Sequence, residues 1–143
     1  MGSACLQSAT QPLGALIQAI VDCVQPAPGE VIIDPACGTG GFLLAVHDYL
    51  AQSDDLDRTQ KKHLRFDALR GVELVPGVAR LCAMNLFLHG VGPDDDNREP
   101  PIRIDDALRD EPSDHFDVVV TNPPFGKKSS ITIVNEEGET DRE

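Results

Sequence analysis

Val31-Ile32-Ile33-Asp34-Pro35-Ala36-Cys37-Gly38-Thr39-Gly40-Gly41-Phe42-Leu43-Leu44 is the stretch that decides the fold. Val31 to Ile33 is a short β-branched run, as expected of a strand buried on both faces of a parallel sheet. Asp34-Pro35 ends it, Gly38 to Gly41 forms a loop, and Phe42, Leu43, Leu44, Val46 and Leu50 supply the apolar face of a helix. A strand, a glycine loop and a helix in that order make the first unit of an α/β domain.

The same alternation extends in both directions. Upstream, Leu13, Leu16, Ile17, Ile20, Val21 and Val24 form one helical stripe that Pro26, Pro28 and Gly29 terminate. Downstream, 52–65 is polar and reads as a solvated linker, and Ala68 to Leu74 reads as a second strand carrying the acid Glu73 at its end. Pro76 opens a helix bearing Val78, Leu81, Cys82, Met84, Asn85, Leu86 and Leu88, which Gly90 closes. Ile102 to Ile104 and Phe116 to Thr121 are the remaining strands, and Asp94-Asp95-Asp96 between them and the helix is a solvated acidic loop.

Strands alternating with helices imply right-handed crossovers, a parallel sheet and helices on both faces, a doubly wound α/β architecture. Ligands bind such sheets outside the carboxyl ends of the strands, where strand order reverses. Asp34, Glu73 and the Asn122 turn occupy those ends.

A length of 143 residues suits a single domain, with a core over about 13–126 and a polar, acidic segment over 127–143 that reads as a flexible tail. A content of 41% hydrophobic and 25% charged residues fits a packed core and argues against wholesale disorder. Lys and Arg number 12 against 24 Asp and Glu, for a net charge of -12, which disfavours sequence-blind attachment to phosphates. Any nucleic acid is gripped locally or through a partner.

Cys5, Cys23, Cys37 and Cys82 form no CxxC pair, and His47, His63, His89 and His115 are scattered, so the expectation is reduced thiols, surface or packing histidines, and no metal site. No stretch approaches the roughly 18 apolar residues of a membrane span, and no basic, apolar leader opens the chain. A cytoplasmic protein is expected.

The glycine loop leaves room for a ligand to approach the backbone, with a helix N-terminus behind it. A tight structural turn would also use such glycines. The dinucleotide pattern G-x-G-x-x-G fails, because Leu43 stands where its third glycine belongs, and a nicotinamide enzyme is disfavoured. Glu73, 39 residues beyond Asp34, can accept hydrogen bonds from both hydroxyls of a ribose, or can be a plain surface acid at a strand end.

Asn122-Pro123-Pro124-Phe125 directly follows the apolar run Val118-Val119-Val120. Asn-Pro often ends a strand. Two prolines, however, also make the loop rigid, and neither contributes an N–H. The Asn122 side-chain oxygen and the Pro123 carbonyl can then accept both hydrogens of an exocyclic amino group while Phe125 stacks on its ring. Such a nitrogen is a poor nucleophile because its lone pair is delocalised. Two aligned acceptors draw it toward tetrahedral geometry and stabilise the positive charge that develops as a methyl group arrives, through positioning and electrostatic preorganisation.

With both motifs in place, the chain resembles the γ-type N6-adenine DNA methyltransferases, and most closely the modification subunits of type I restriction-modification systems. The likeness spans Leu16 to Arg142 and is most specific over 34–42 and 122–126. It implies a Rossmann-like S-adenosylmethionine-dependent methyltransferase fold, present here as the N-terminal half of the sheet. It further implies that Asp34, Ala36, Cys37, Gly38, Thr39, Gly40 and Phe42 of the loop, with Glu73, Leu74 and Asp106, bind S-adenosylmethionine. Asn122, Pro123, Pro124 and Phe125 would hold a flipped adenine. The implied partners are DNA and separate specificity and restriction subunits, which reconciles an acidic chain with a DNA reaction.

Three departures accompany the resemblance. Gln11-Pro12-Leu13-Gly14-Ala15 replaces the family's aromatic-Thr-Pro segment, Asp105 replaces the glycine before Asp106, and the family's catalytic domain continues beyond the Asn-Pro-Pro-Phe loop. The expectation is therefore a fragment whose last strand is an open edge prone to self-association. Two other readings are an amino-methyltransferase acting on a protein glutamine or another planar amine, and a non-catalytic remnant serving as an assembly module.

Overall fold

A computed structural model describes residues 11–94, 97–109, 114–123, 132–134 and 140–142. The elements in chain order are α1 (Gln11–Val24), β1 (Ile32–Asp34), α2 (Gly41–Ala51), α3 (Arg58–Phe66), β2 (Leu69–Glu73), α4 (Pro76–Leu88), β3 (Ile102–Ile104), β4 (Val118–Val119), β5 (Thr132–Val134) and β6 (Thr140–Arg142). Four strands form one sheet in the order β3-β2-β1-β4, and every pairing in it is parallel. Ile32 lies at the centre, opposite Leu69 on one side and Val118 on the other, and is fully buried. The Asp117 carboxylate ties the start of β4 to β1 by accepting the Val31 N–H at 2.8 Å.

Alternation along the strands separates two faces. Ile32, Leu69, Ile102 and Val120 join Val21 of α1, Phe42, Leu43 and Val46 of α2, Leu64 of α3, and Ala79, Cys82 and Leu86 of α4 in a single core. Ile33, Arg70, Val72, Arg103 and Val119 instead border a broad cleft of about 640 Å³ on the other face. Helices were expected on both faces, and the topology explains the difference. Strand order runs outward from β1 to β3 and then reverses to β4, so right-handed connections place α2 and α4 on one face and the β3–β4 crossover on the other. Among the described residues that crossover contains no helix.

Two helices bury less of their apolar stripes than their spacing predicts. Val21 is fully buried and Ile17 packs on the core, whereas Leu13, Leu16, Ile20 and Val24 at the edges of the α1 stripe are exposed. On α4, Leu81, Met84, Phe87 and Leu88 are likewise exposed. The α1 stripe is wider than the single layer of α2 against which it packs.

The polar 52–65 stretch is not a continuous linker, because α3 occupies most of it. Its start is an Asp57–Gln60 capping box: Gln60 N–H donates to the Asp57 carboxylate at 2.8 Å, and Asp57 N–H donates to the Gln60 side-chain oxygen at 3.0 Å. Only Leu64 of this helix is buried, so apolar periodicity carried almost no signal there. Asp94 of the acidic loop pairs with Arg98 at 3.4 Å. Within the segment read as a tail, β5 pairs antiparallel with β6, apart from the four-stranded sheet.

Gly71 sets how closely β2 can approach its neighbours. A Cβ at this position would lie 2.8 Å from Ile102 Cδ1 and 2.9 Å from Cys37 Sγ. Gly71→Ala should therefore destabilise the chain by about 1–3 kcal/mol through overpacking. Adding Ile102→Val should recover part of that loss in denaturant unfolding. An alanine variant as stable as the parent would show that β2 has room the structure denies.

Candidate functional site

The carboxyl ends of β1, β2 and β4 converge on the glycine loop. Asp34, the last residue of β1, is only 2% exposed. Its carboxylate accepts the Ala36 N–H at 3.0 Å and hydrogen-bonds the side chain of Thr121, the residue before the Asn-Pro turn. Burial raises the Asp34 carboxyl above its ordinary 3.8, the Ala36 and Thr121 hydrogen bonds oppose that rise, and the nearby Glu73 charge adds to it.

Glu73 at the end of β2 faces the same loop. One of its oxygens accepts the Gly38 N–H at 3.1 Å and the other accepts the Val75 N–H at 2.8 Å. Each carboxylate oxygen retains a further lone pair for an incoming hydroxyl. The Cys37 N–H donates to the Val72 carbonyl at 3.0 Å, so loop and strand are joined along both backbone and side chain.

Gly38 and Gly40 both adopt positive φ, 54° and 93°, which explains glycine at each. A Cβ on Gly38 would meet nothing within 4 Å, whereas one on Gly40 would lie 2.9 Å from Cys82 Sγ. The open side of the loop is therefore at Gly38, and Gly40 faces the core. No side chain caps α2, whose N-cap is Gly40. Its first amides face the strand ends with the positive end of the helix dipole behind them.

The other expected cofactor residues divide into three groups. Thr39 is exposed and Ala36 half-buried beside the open loop. Cys37 and Phe42 are 4% and 5% exposed and point into the core. The Cys82 hydrogen bond and then burial push the Cys37 thiol up, so it stays protonated at neutral pH and acts as packing. Leu74, 65% exposed, and Asp106 stand beyond their strand ends, where the Asp106 carboxylate accepts the Leu108 N–H at 3.0 Å.

Asp105, in place of a glycine, pairs with Arg109 at 3.1 Å, and its N–H reaches the Glu73 carbonyl at 3.2 Å. Asn122 and Pro123 are exposed beyond the end of β4, one and two residues past Thr121, which is tied to Asp34. Pro124 and Phe125 lie outside the described residues.

The expected residues miss one contact. Asn85 on α4 donates its side-chain amide to the Thr39 carbonyl at 2.9 Å. Its sequence signal was a polar residue inside an otherwise apolar helical stripe. Two histidines hold backbone carbonyls: His63 donates to the Glu30 carbonyl at 2.9 Å, and His89 donates to the Asn85 carbonyl at 2.8 Å. Among the described residues no three His, Cys, Asp or Glu side chains are grouped to hold a metal, and no helix is long and apolar enough to cross a membrane.

A model of the family described as N-6 DNA Methylase matches residues 13–142. The StySPI methylase subunit of a type I restriction enzyme from Salmonella potsdam is 38% identical over 124 residues, covering 82% of this chain and 23% of that protein. The crystal structure of the EcoKI M protein, a type I restriction enzyme component, superposes with a TM-score of 0.70 at 37% identity, over 81% of this chain and 25% of that one. A more distant solved chain complexed with SAH shares the fold at a TM-score of 0.50 and 14% identity, over 87% of this chain and 37% of that chain. The chain thus spans 23% of the length of the curated relative it matches.

Ionised Asp34 is costly in the folded state. A carboxyl raised on folding contributes stability that is fully present below its unfolded value near 3.8 and is lost as pH rises through the folded value. Relative to Asp34→Asn, the parent should therefore lose stability between that pH and neutrality, in denaturant unfolding at a series of pH values. Taking the difference between the two proteins removes the shared titrations. A difference that stays flat with pH would show that Asp34 is not desolvated.

Proposed function

The chain belongs to the N-6 DNA methylase family, and on that footing we propose that it forms the cofactor- and adenine-binding part of a DNA adenine methyltransferase of the type I restriction-modification class. The observation that carries the proposal is the convergence of Asp34, the open glycine loop and Glu73 with the Asn122 turn at adjacent ends of β1, β2 and β4. The relatives compared at 37–38% identity are DNA-modification subunits. This favours DNA adenine over a protein glutamine and over a non-catalytic role.

The site fits S-adenosylmethionine. The open space above Gly38 and the uncapped α2 N-terminus suit the amino-acid carboxylate, and the lone pairs left on Glu73 suit the ribose hydroxyls. Ala36, Thr39, Leu74 and Asp106 border the same strand ends and would flank the rest of the molecule, with Cys37 and Phe42 supporting the loop from beneath. A distant chain of the same fold carries SAH. When bound, the cofactor supplies an electrophilic methyl group.

The chain's own residues prepare the nucleophile. Asn122 and the Pro123 carbonyl accept the adenine amino hydrogens, Pro124 holds the turn rigid, and Phe125 stacks on the base. The Thr121 bond to Asp34 fixes the spacing of this turn from the cofactor loop. The acidic chain reaches DNA through a specificity subunit and works with a restriction subunit, in the cytoplasm, and the outer edge of β4, unpaired among the described residues, is the surface through which it self-associates.

The experiment is calorimetric titration with S-adenosylhomocysteine, together with transfer of label from S-adenosylmethionine to adenine-containing DNA in the presence of the partner subunits. Asn122→Ala should lower the single-turnover rate about 100- to 1000-fold while cofactor affinity stays nearly constant, as for loss of one preorganised contact to developing charge. Loss of cofactor binding with the rate retained would reverse the roles assigned to the two loops.

A further inference from the structure

Besides the Glu73 bond to Gly38, the glycine loop is supported from α4, where one side chain, Asn85, hydrogen-bonds its backbone. The peptide between Thr39 and Gly40 is held at both ends. Gly40 N–H donates to the Cys37 carbonyl at 2.8 Å, and the Thr39 carbonyl accepts the Asn85 side-chain amide at 2.9 Å. Only the nitrogen of that amide can serve, because a carbonyl accepts and never donates.

The loop needs such a clamp. Thr39 is flanked by two glycines with positive φ, residues with little intrinsic preference for one conformation. Cys82, three residues before Asn85 on α4, fills the space beneath Gly40 and blocks the loop from sinking inward. Asn85 fixes the direction of the peptide from the side, and Cys82 limits its depth.

We propose that Asn85 is a positioning residue for the amino-acid end of the cofactor: through the Thr39 carbonyl it holds the glycine loop in its ligand-ready conformation. This rests on the S-adenosylmethionine reading of the site. Asn85 itself contacts no ligand, whereas Glu73 is placed for the ribose by β2 and by the Val75 N–H, with its other oxygen on Gly38 at the start of the loop.

The test compares S-adenosylhomocysteine with adenosine, which lacks the amino-acid end, by calorimetry on the full chain and on Asn85→Asp. That variant keeps the side chain's shape and removes its donor. S-adenosylhomocysteine should weaken about three- to tenfold, the usual net loss when one hydrogen bond is removed. Adenosine should weaken by less than about twofold, because Glu73 keeps its place on β2 and its Val75 bond when the Thr39 carbonyl is released. Asn85→Gln, which restores a donor, should recover most of the loss.

Circular dichroism and thermal melting establish that each variant is folded. If Asn85→Asp is not, Asn85→Ser, too short to reach Thr39 and uncharged, carries the same comparison. Equal weakening of both ligands, or none, overturns the positioning role while leaving the cofactor reading intact. Failure of the parent chain to bind either ligand overturns the cofactor reading, and the role with it.

Discussion

The Glu73 carboxylate is the joint on which the site depends. It closes the end of β2, caps the turn into α4 through Val75, and reaches across to the Gly38 amide of the loop that follows β1. Two parallel neighbours are thereby joined at their carboxyl ends by a charge-assisted bond in addition to their backbone ladder. Together with the Asn85 bond to Thr39, it keeps a glycine-rich turn in one conformation.

The rest of the site is a set of similar ties between elements distant in sequence. Asp34 and Thr121 link the ends of β1 and β4, and Asn85 links α4 to Thr39. Of these ties only Asp34 is buried, where an unsatisfied polar group is expensive. Asp34 shows that cost directly, since burial raises its carboxyl despite the bonds it receives. A buried acid at the end of the central strand exchanges some stability for a fixed spacing between two functional loops.

Among the described residues the helices cover one face of the sheet, and this follows from the same topology that creates the site. Reversal of strand order after β3 brings the Asn-Pro turn next to the glycine loop, and it also sends the β3–β4 connection to the face that α2 and α4 leave open. Arg70, Arg103 and Val119 border the resulting cleft. It reaches the strand-end loops as well, since Pro35 of the glycine loop and Asp105 and Asp106 beyond β3 also line it.

By itself the sequence determined the parallel α/β class, the strand–loop–helix unit at 31–44, and the presence of Asp34, Glu73 and Asn122 at strand ends. These features depend on local patterning: β-branched runs, glycines and prolines at fixed offsets, and apolar periodicity. Helix α3 left a local trace too, the Asp57–Gln60 box, but its single buried residue gave no stripe to read. Only the tertiary structure decided which side of each motif faces a ligand. It turned Cys37 and Phe42 inward and opened Gly38, and it placed Cys82 rather than a ligand against Gly40. Asn85 and Thr121 acquired partners 46 and 87 residues away, at Thr39 and Asp34, and no spacing rule could have paired them. Those contacts depend on how strands and helices stack, and stacking is set by the volume and shape of the whole core.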